Sequence, residues 1–226
     1  MDEWFINQKT NKKTMTENLI GNLTLDFFFI SALSYLVGSI PFGLIFTRIA
    51  GLGDIRSIGS GNLGATNVLR TGNKALALLT LMSDAGKGAV IIILIQYFYF
   101  DNNSLMPFII LSGMFLVLGH NFPVWLGFKG GKGIATTLGI LLAVNWIVGI
   151  ATCVTWLIIA FIFRYSSLAA LIAIITSPIY AWLLNDINLV ILAGIFMILA
   201  FFRHQENIIR LVKGTENKIN FRTNRN

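Results

Sequence analysis

The sequence predicts an all-α integral membrane protein with seven transmembrane helices, some short or re-entrant, the N-terminus outside and the C-terminus cytoplasmic. Three observations carry that expectation. Of the 226 residues, 55% are hydrophobic and only 12% charged, and the mean hydropathy is +0.74, a balance foreign to a water-soluble domain. Apolar runs at 25–46, 75–100, 105–126, 134–163, 167–184 and 187–202 fill most of the chain, and a helix needs about 20 such residues to cross a bilayer. The loops between them alternate between basic and devoid of Lys and Arg, which is how short loops record sidedness.

Taken in order, residues 1–24 form a solvated tail in which Asp2, Glu3 and Glu17 balance Lys9, Lys12 and Lys13. No A-x-A-like cleavage site follows, so the tail precedes a first span and is not a signal peptide. The loop at 47–74 carries Arg48, Arg56, Arg70 and Lys74. The one at 127–133 carries Lys129 and Lys132, and the segment from 203 onward carries Arg203, Arg210, Lys213, Lys218, Arg222 and Arg225. These three belong inside. The loops at 101–104 and 185–188 hold Asp101 and Asp186 but no basic residue, and belong outside.

The run 134–163 starts and ends next to inside segments, so it must cross an even number of times. As one helix its 30 residues would reach about 45 Å against a hydrocarbon core of about 30 Å. A turn near Asn145 gives two short crossings and a total of seven. Because 134–145 is short for a span, its helix either starts within the preceding glycine-rich loop or is partly buried in protein, with a bent re-entrant element as the alternative. The expected division is a tail at 1–24, a transmembrane domain at 25–203 and a cytoplasmic segment at 204–226. The net charge of +7 suits an anionic membrane surface and anionic ligands more than nucleic acid. The lipid bilayer is the expected partner, and no protein partner is evident. The single Cys153, inside an apolar run, supports neither a disulfide framework nor a metal cluster.

Four polar segments interrupt this pattern. DIRSIGSGNLGATNVLR, from Asp54 to Arg70, combines Gly59, Gly61 and Gly64 with Ser60, Asn62 and Asn67. Glycines let several backbone N–H groups converge on one anion, and Arg70 adds a bidentate fork; the bland reading is a flexible loop with a basic flank. GHNFPVWLGFKGGKGIAT, from Gly119 to Thr136, sets Gly130, Gly131, Lys132 and Gly133 just before an apolar helical run, where free amides, the helix dipole and a point charge suit phosphate. It is not a Walker A loop, because Lys132 is followed by Gly133 and not by Ser or Thr. SDAGKG at 83–88 puts Asp84 and Lys87 three residues apart within an apolar run, as a polar-site cation or as a self-satisfying ion pair. RHQENIIRL, from Arg203 to Leu211, places His204 and Asn207 on one face of a continuing helix, together with Arg203 and Arg210. His120, beside Asn121 at a membrane boundary, is a further polar candidate. No HExxH, Cys pair, carboxylate cluster or G-x-S-x-G elbow is present, so no metal or serine-hydrolase mechanism is expected.

Together with GSIPFG at 38–43, these motifs resemble the bacterial acyl-phosphate:glycerol-3-phosphate acyltransferase family over about residues 30 to 214. The resemblance implies a cytoplasmic-membrane enzyme with seven helices and an outside N-terminus. It implies transfer of an acyl group from acyl phosphate to glycerol 3-phosphate, giving lysophosphatidic acid with no metal or other cofactor. It also implies that Ser60, Arg70, Lys132 with Gly130 and Gly131, His204 and Asn207 line the site. The H-x-x-x-x-D motif of other glycerol-phosphate acyltransferases is absent, since His120 is followed at that spacing by Trp125 and His204 by Ile209.

An acyl phosphate carries its own leaving group, so the protein's task is to hold two phosphorylated molecules together and orient a hydroxyl at the carbonyl. The expected catalytic set is Ser60, Arg70, Lys132, His204 and Asn207. Gly59, Gly61, Asn62, Gly64, Asn67, Lys87, His120, Gly130, Gly131 and Gly133 are expected to bind substrate. Ser60 and Arg70 are assigned to the acceptor, with His204 and Asn207 positioning it, and Lys132 with the GGKG amides to the leaving phosphate. The base is a substrate phosphate oxygen or His204. A membrane transporter of an organic phosphate is the competing class, distinguished by a site at the midplane instead of at one face.

Overall fold

The computed structural model describes residues 24–99 and 105–219. The tail with its lysines, the loop with Asp101, and Arg222 and Arg225 lie outside the described residues. Within them there is no strand. Helix α1 runs from 24 to 38 and, after a break at 39–41, α2 spans Phe42–Ile49. A short 3-10 turn at Ile55–Ser57 and α3 at Ala65–Leu69 lead into α4 at Lys74–Phe98 and α5 at Leu105–Asn121. A second 3-10 turn at Val124–Leu126 precedes α6 at Ile134–Val144. Then follow α7 at Trp146–Phe163, α8 at Ser166–Leu183, α9 at Ile187–Arg203 and α10 at Gln205–Val212.

Five segments are long and apolar enough to cross a membrane: Thr24–Ile49, Lys74–Phe98, Leu105–Leu126, Trp146–Phe163 and Ser166–Leu183. The pair α9 and α10, bent by 65°, is a sixth if taken as one span. The turn expected near Asn145 is there. Asn145 leaves helical geometry at φ −149° and ψ 104°, and its Oδ1 accepts the amides of Ile147 and Val148 to start α7. Gly149 then lies against Leu142, so α7 folds back along α6.

Helix α6, with 11 residues, reaches only about 16 Å. It tolerates this because protein surrounds it: it packs against α4, α5, α7 and α9, with Ile140 and Leu141 fully buried. Its tightest neighbour is α4, and the two run in the same direction. A Cβ at Gly139 would strike the Ala85 carbonyl and one at Gly88 the Thr136 carbonyl. Small residues therefore set this crossing, as they do where α1 meets α5 at Gly38 and Gly119.

Two breaks would leave orphan carbonyls in an apolar setting, and each is answered. Pro178, inside α8, has no N–H for the Ile174 carbonyl, which accepts instead from Ser177 Oγ at 2.9 Å. At the α1–α2 break, Lys87 Nζ donates to the Ile40 carbonyl at 2.9 Å. The core is built by Ile92, Phe108, Leu116, Ile140, Leu189, Leu192 and Phe196. The outer faces stay apolar, most clearly on α7 at Leu157, Phe161 and Ile162, as a lipid-facing surface requires.

Following the helices through their turns sorts the charges. Among the described residues, every Lys and Arg except Lys87 lies at the end holding the starts of α4, α6 and α8 and the ends of α5, α7 and α9. Asp26 and Asp186 mark the other end.

Candidate active site

The first glycine loop is organised by one side chain. Asn67, 2% exposed, donates from Nδ2 to the carbonyls of Ile55, Ile58 and Asn62 at 2.9–3.0 Å. Its Oδ1 accepts from the amide and hydroxyl of Ser60 and from Arg70 Nη1. Both ends of that amide are engaged by protein, so Asn67 shapes the loop. Gly59, at φ +56°, lies under the Arg70 guanidinium, where any side chain would meet it. Arg48 and Arg56 are both paired with Asp54, at 3.0 and 2.6 Å. Arg70 is exposed, bonds only to Asn67 and makes no ion pair among the described residues. It is thus the uncommitted fork of this loop. Ser60 and Gly61 are exposed beside it, Asn62 and Gly64 are half-buried, and Asn62 Oδ1 is taken by the Leu63 amide.

The second loop differs from the expected amide cradle. The amides of Gly130 and Gly131 donate to the carbonyls of Asn121 and His120, at 3.1 and 3.0 Å. Their own carbonyls accept from Arg203 Nη2 and Nε at 3.0 and 3.1 Å. Gly131 touches the His120 ring so closely that no side chain fits. These two amides are therefore closed to a ligand, and those left by the helix start are in the first turn of α6, after Gly133. Buried at the foot of this turn, the side-chain amide of Asn121 and the hydroxyl of Thr136 find no partner among the described residues.

At the third segment the expected continuous helix is broken. Helix α9 ends at Arg203, His204 turns the chain by 65°, and α10 starts at Gln205. The bend sends Arg203 to the glycine loop and Asn207 towards Lys132. Asn207, 3% exposed, accepts from Lys132 Nζ through Oδ1 and donates through Nδ2 to Glu216 Oε1 at 2.7 Å. Glu216 also accepts from Ser167 Oγ at 2.8 Å and pairs with Arg210 at 2.7 Å. His204, 2% exposed, directs Nδ1 at the Ala200 carbonyl at 2.7 Å, which fixes the proton there and leaves Nε2 with a free lone pair in the neutral ring.

One chain of contacts joins the loops. Thr66, in the first turn of α3, meets Ser166 at 3.0 Å, and the adjacent Ser167 reaches Glu216, Asn207 and Lys132. The motif at 83–88 goes elsewhere: Asp84 and Lys87 pair at 2.9 Å, both nearly fully buried, and His120 Nδ1 lies 3.0 Å from Lys87 Nζ. This cluster is held by its own ion pair, although Asp84 Oδ1 makes no well-aligned hydrogen bond among the described residues, and it meets the site through the His120 ring under Gly131.

Burial pulls the Lys132 ammonium down to about 8; Glu216 and Glu206 oppose that shift, and Arg210 and Arg203 add to it. Burial would raise the Glu216 carboxyl, but hydrogen bonds from Arg210, Ser167 and Asn207 hold it below its usual value. Glu216, Ser167, Arg210 and Arg203 belong to this network and were not among the predicted site residues. Glu216 lies beyond the matched motifs, with no sequence signal of its own. Arg203 was visible as a helix-face neighbour of Asn207, but its direction depends on the bend.

Fold and polar cluster together define a helical membrane protein with a cation-rich site at one end of its bundle. The glycerol-3-phosphate acyltransferase family matches residues 28–214. The enzyme of that name from Paramagnetospirillum magneticum is 55% identical over 185 residues, covering 82% of this chain and 90% of that protein. The one from Rhodospirillum rubrum is 53% identical over 190 residues, covering 82% and 87%. In three dimensions the chain is similar to PlsY, described as an integral membrane glycerol 3-phosphate acyltransferase. The glycerol 3-phosphate form aligns at TM-score 0.80 and 35% identity over 86% of this chain and 96% of that one. The lysophosphatidic acid form aligns at 0.78 and 34% over 85% and 95%. The chain belongs to the glycerol-3-phosphate acyltransferase family and is an integral membrane enzyme of that activity. The transporter alternative is set aside.

Proposed function

We propose that the enzyme transfers a fatty acyl group from acyl phosphate to the sn-1 hydroxyl of glycerol 3-phosphate, releasing inorganic phosphate and lysophosphatidic acid. It does so at the cytoplasmic face of the bacterial inner membrane, as the first step of phospholipid synthesis, with no metal or other cofactor. The basic end of the bundle faces the cytoplasm, α6 and α7 count as two of seven crossings, the N-terminus is outside, and residues 204–226 form a cytoplasmic segment after the transmembrane domain.

The observation that carries the reading is the bond from Lys132 to Asn207. It joins the half-buried ammonium of the glycine loop to Asn207, which lies one turn past His204 at the α9–α10 bend, a pair of residues suited to positioning a polyol phosphate. This pairing favours a division of labour different from the one expected from sequence. Lys132, His204 and Asn207 form one subsite, which takes the phosphate and hydroxyls of the acceptor. Arg70 and Ser60, exposed on the other loop, take the donor's phosphate. The acceptor oxygen attacks the acyl carbon, the bond from carbonyl carbon to phosphate oxygen breaks, and phosphate leaves with its charge offset by Arg70. The hydroxyl proton passes to a phosphate oxygen of a substrate, with His204 Nε2 as the protein alternative.

The test is purified protein supplied with glycerol 3-phosphate and palmitoyl phosphate, palmitoyl-CoA or palmitoyl acyl-carrier protein. Palmitoyl phosphate alone should give 1-acyl lysophosphatidic acid, in the presence of a chelator. Turnover with either thioester and none with the acyl phosphate would overturn the donor assignment.

A further inference from the structure

An arginine beside a phosphate site is ordinarily read as a phosphate ligand, but Arg203 is committed elsewhere. Its Nη2 and Nε donate to the carbonyls of Gly130 and Gly131, at 3.0 and 3.1 Å, and its guanidinium lies 5.0 Å from the centre of the Phe122 ring. The Nε–Nη2 edge of the fork is therefore taken by two successive carbonyls and one of its flat faces lies against an aromatic ring. The two glycines are gripped on their other sides as well, their amides by Asn121 and His120 and the Gly131 α-carbon by the His120 ring. The next residue is Lys132, whose ammonium reaches Asn207 on the helix that starts just after Arg203.

We infer that Arg203 is a positioning residue for Lys132: it clamps the glycine pair that precedes the lysine and so fixes where the ammonium sits against the α9–α10 bend. It does not bind substrate. The inference rests on the reading of Lys132 as the acceptor's phosphate-binding cation. A lysine at 203 has one donor centre and cannot reproduce the planar bridge across two carbonyls. The positive charge at 203 also faces Lys132, together with Arg210, Glu206 and Glu216 from α10 and the segment after it, and with His204 at the bend.

The experiment is a double-mutant cycle in purified enzyme with Arg203→Gln and Lys132→Met, accompanied by Arg203→Lys. Arg203→Gln should raise the KM for glycerol 3-phosphate about tenfold while the KM for acyl phosphate stays within about twofold, and in the Lys132→Met background it should add less than about twofold. Removing the charge should move the alkaline limb of kcat/KM to higher pH, because Arg203 presses the Lys132 ammonium towards its neutral form. Arg203→Lys, which keeps the charge, should raise the KM for glycerol 3-phosphate but leave that limb in place. Additive losses in the cycle, or a limb unmoved in Arg203→Gln, overturn the inference. Wild-type kinetics in Lys132→Met alone would instead overturn the reading of Lys132.

Discussion

At the scale of single residues, the chemistry turns on how the cations are held. Lys132 is pulled down to about 8 by burial, so the free enzyme loses its ammonium as pH rises through that value. The expected outcome is a kcat/KM for glycerol 3-phosphate that is flat below about pH 8 and falls towards tenfold per pH unit above it, since kcat/KM reports groups of the free enzyme. A bound phosphate restores the proton, so kcat should hold to higher pH. Glu216 is held below its usual range and stays charged across this window; it sets no limb there. Arg70 carries a different prediction. Arg70→Lys keeps the charge but loses the planar fork, and kcat/KM for acyl phosphate should drop about ten- to hundredfold. His204→Ala separates the two routes for the proton: if the folded variant keeps full turnover, the substrate phosphate is the base.

At the scale of elements, much was legible because helices announce themselves through continuous apolar runs, and a run that begins and ends beside basic loops has to turn back, as it does at Asn145. The residue there explains the success: an Asn between apolar stretches can cap the second one, and its Oδ1 does so on Ile147 and Val148. Asn145→Ala should cost about 1 kcal/mol of stability, read as a lower unfolding temperature in detergent. The bend at His204 was not legible, because Arg203 to Leu211 keeps helical spacing, and the angle is imposed by contacts remote in sequence. The closed amides of Gly130 and Gly131 were hidden for the same reason. Their partners sit in the preceding turn and on α9, and a GGKG string looks identical whether its N–H groups face a ligand or a carbonyl. Glycines at helix crossings make a further test. Gly139→Val places branched carbons against the Ala85 carbonyl, and the variant should lose thermal stability by about 1–3 kcal/mol or fail to accumulate in the membrane.

At the scale of the whole molecule, segments far apart in sequence are drawn to one end, where Thr66, Ser166, Glu216, Asn207 and Lys132 form a continuous line. The basic residues gather at that same end, which the positive-inside rule assigns to the cytoplasm. In a Cys153→Ser background, a single cysteine introduced at Lys129 should resist a membrane-impermeant thiol reagent in intact cells, and one at Asn185 should react. Reversed labelling would invert the topology. The most direct measurement of the account as a whole is two-substrate kinetics of purified Lys132→Met and Arg70→Met. The account predicts that the first raises the KM for glycerol 3-phosphate and the second the KM for acyl phosphate, each leaving the other constant largely unchanged. If Lys132→Met raised only the KM for acyl phosphate, the acceptor would not sit where Lys132 meets Asn207, and the account would be contradicted.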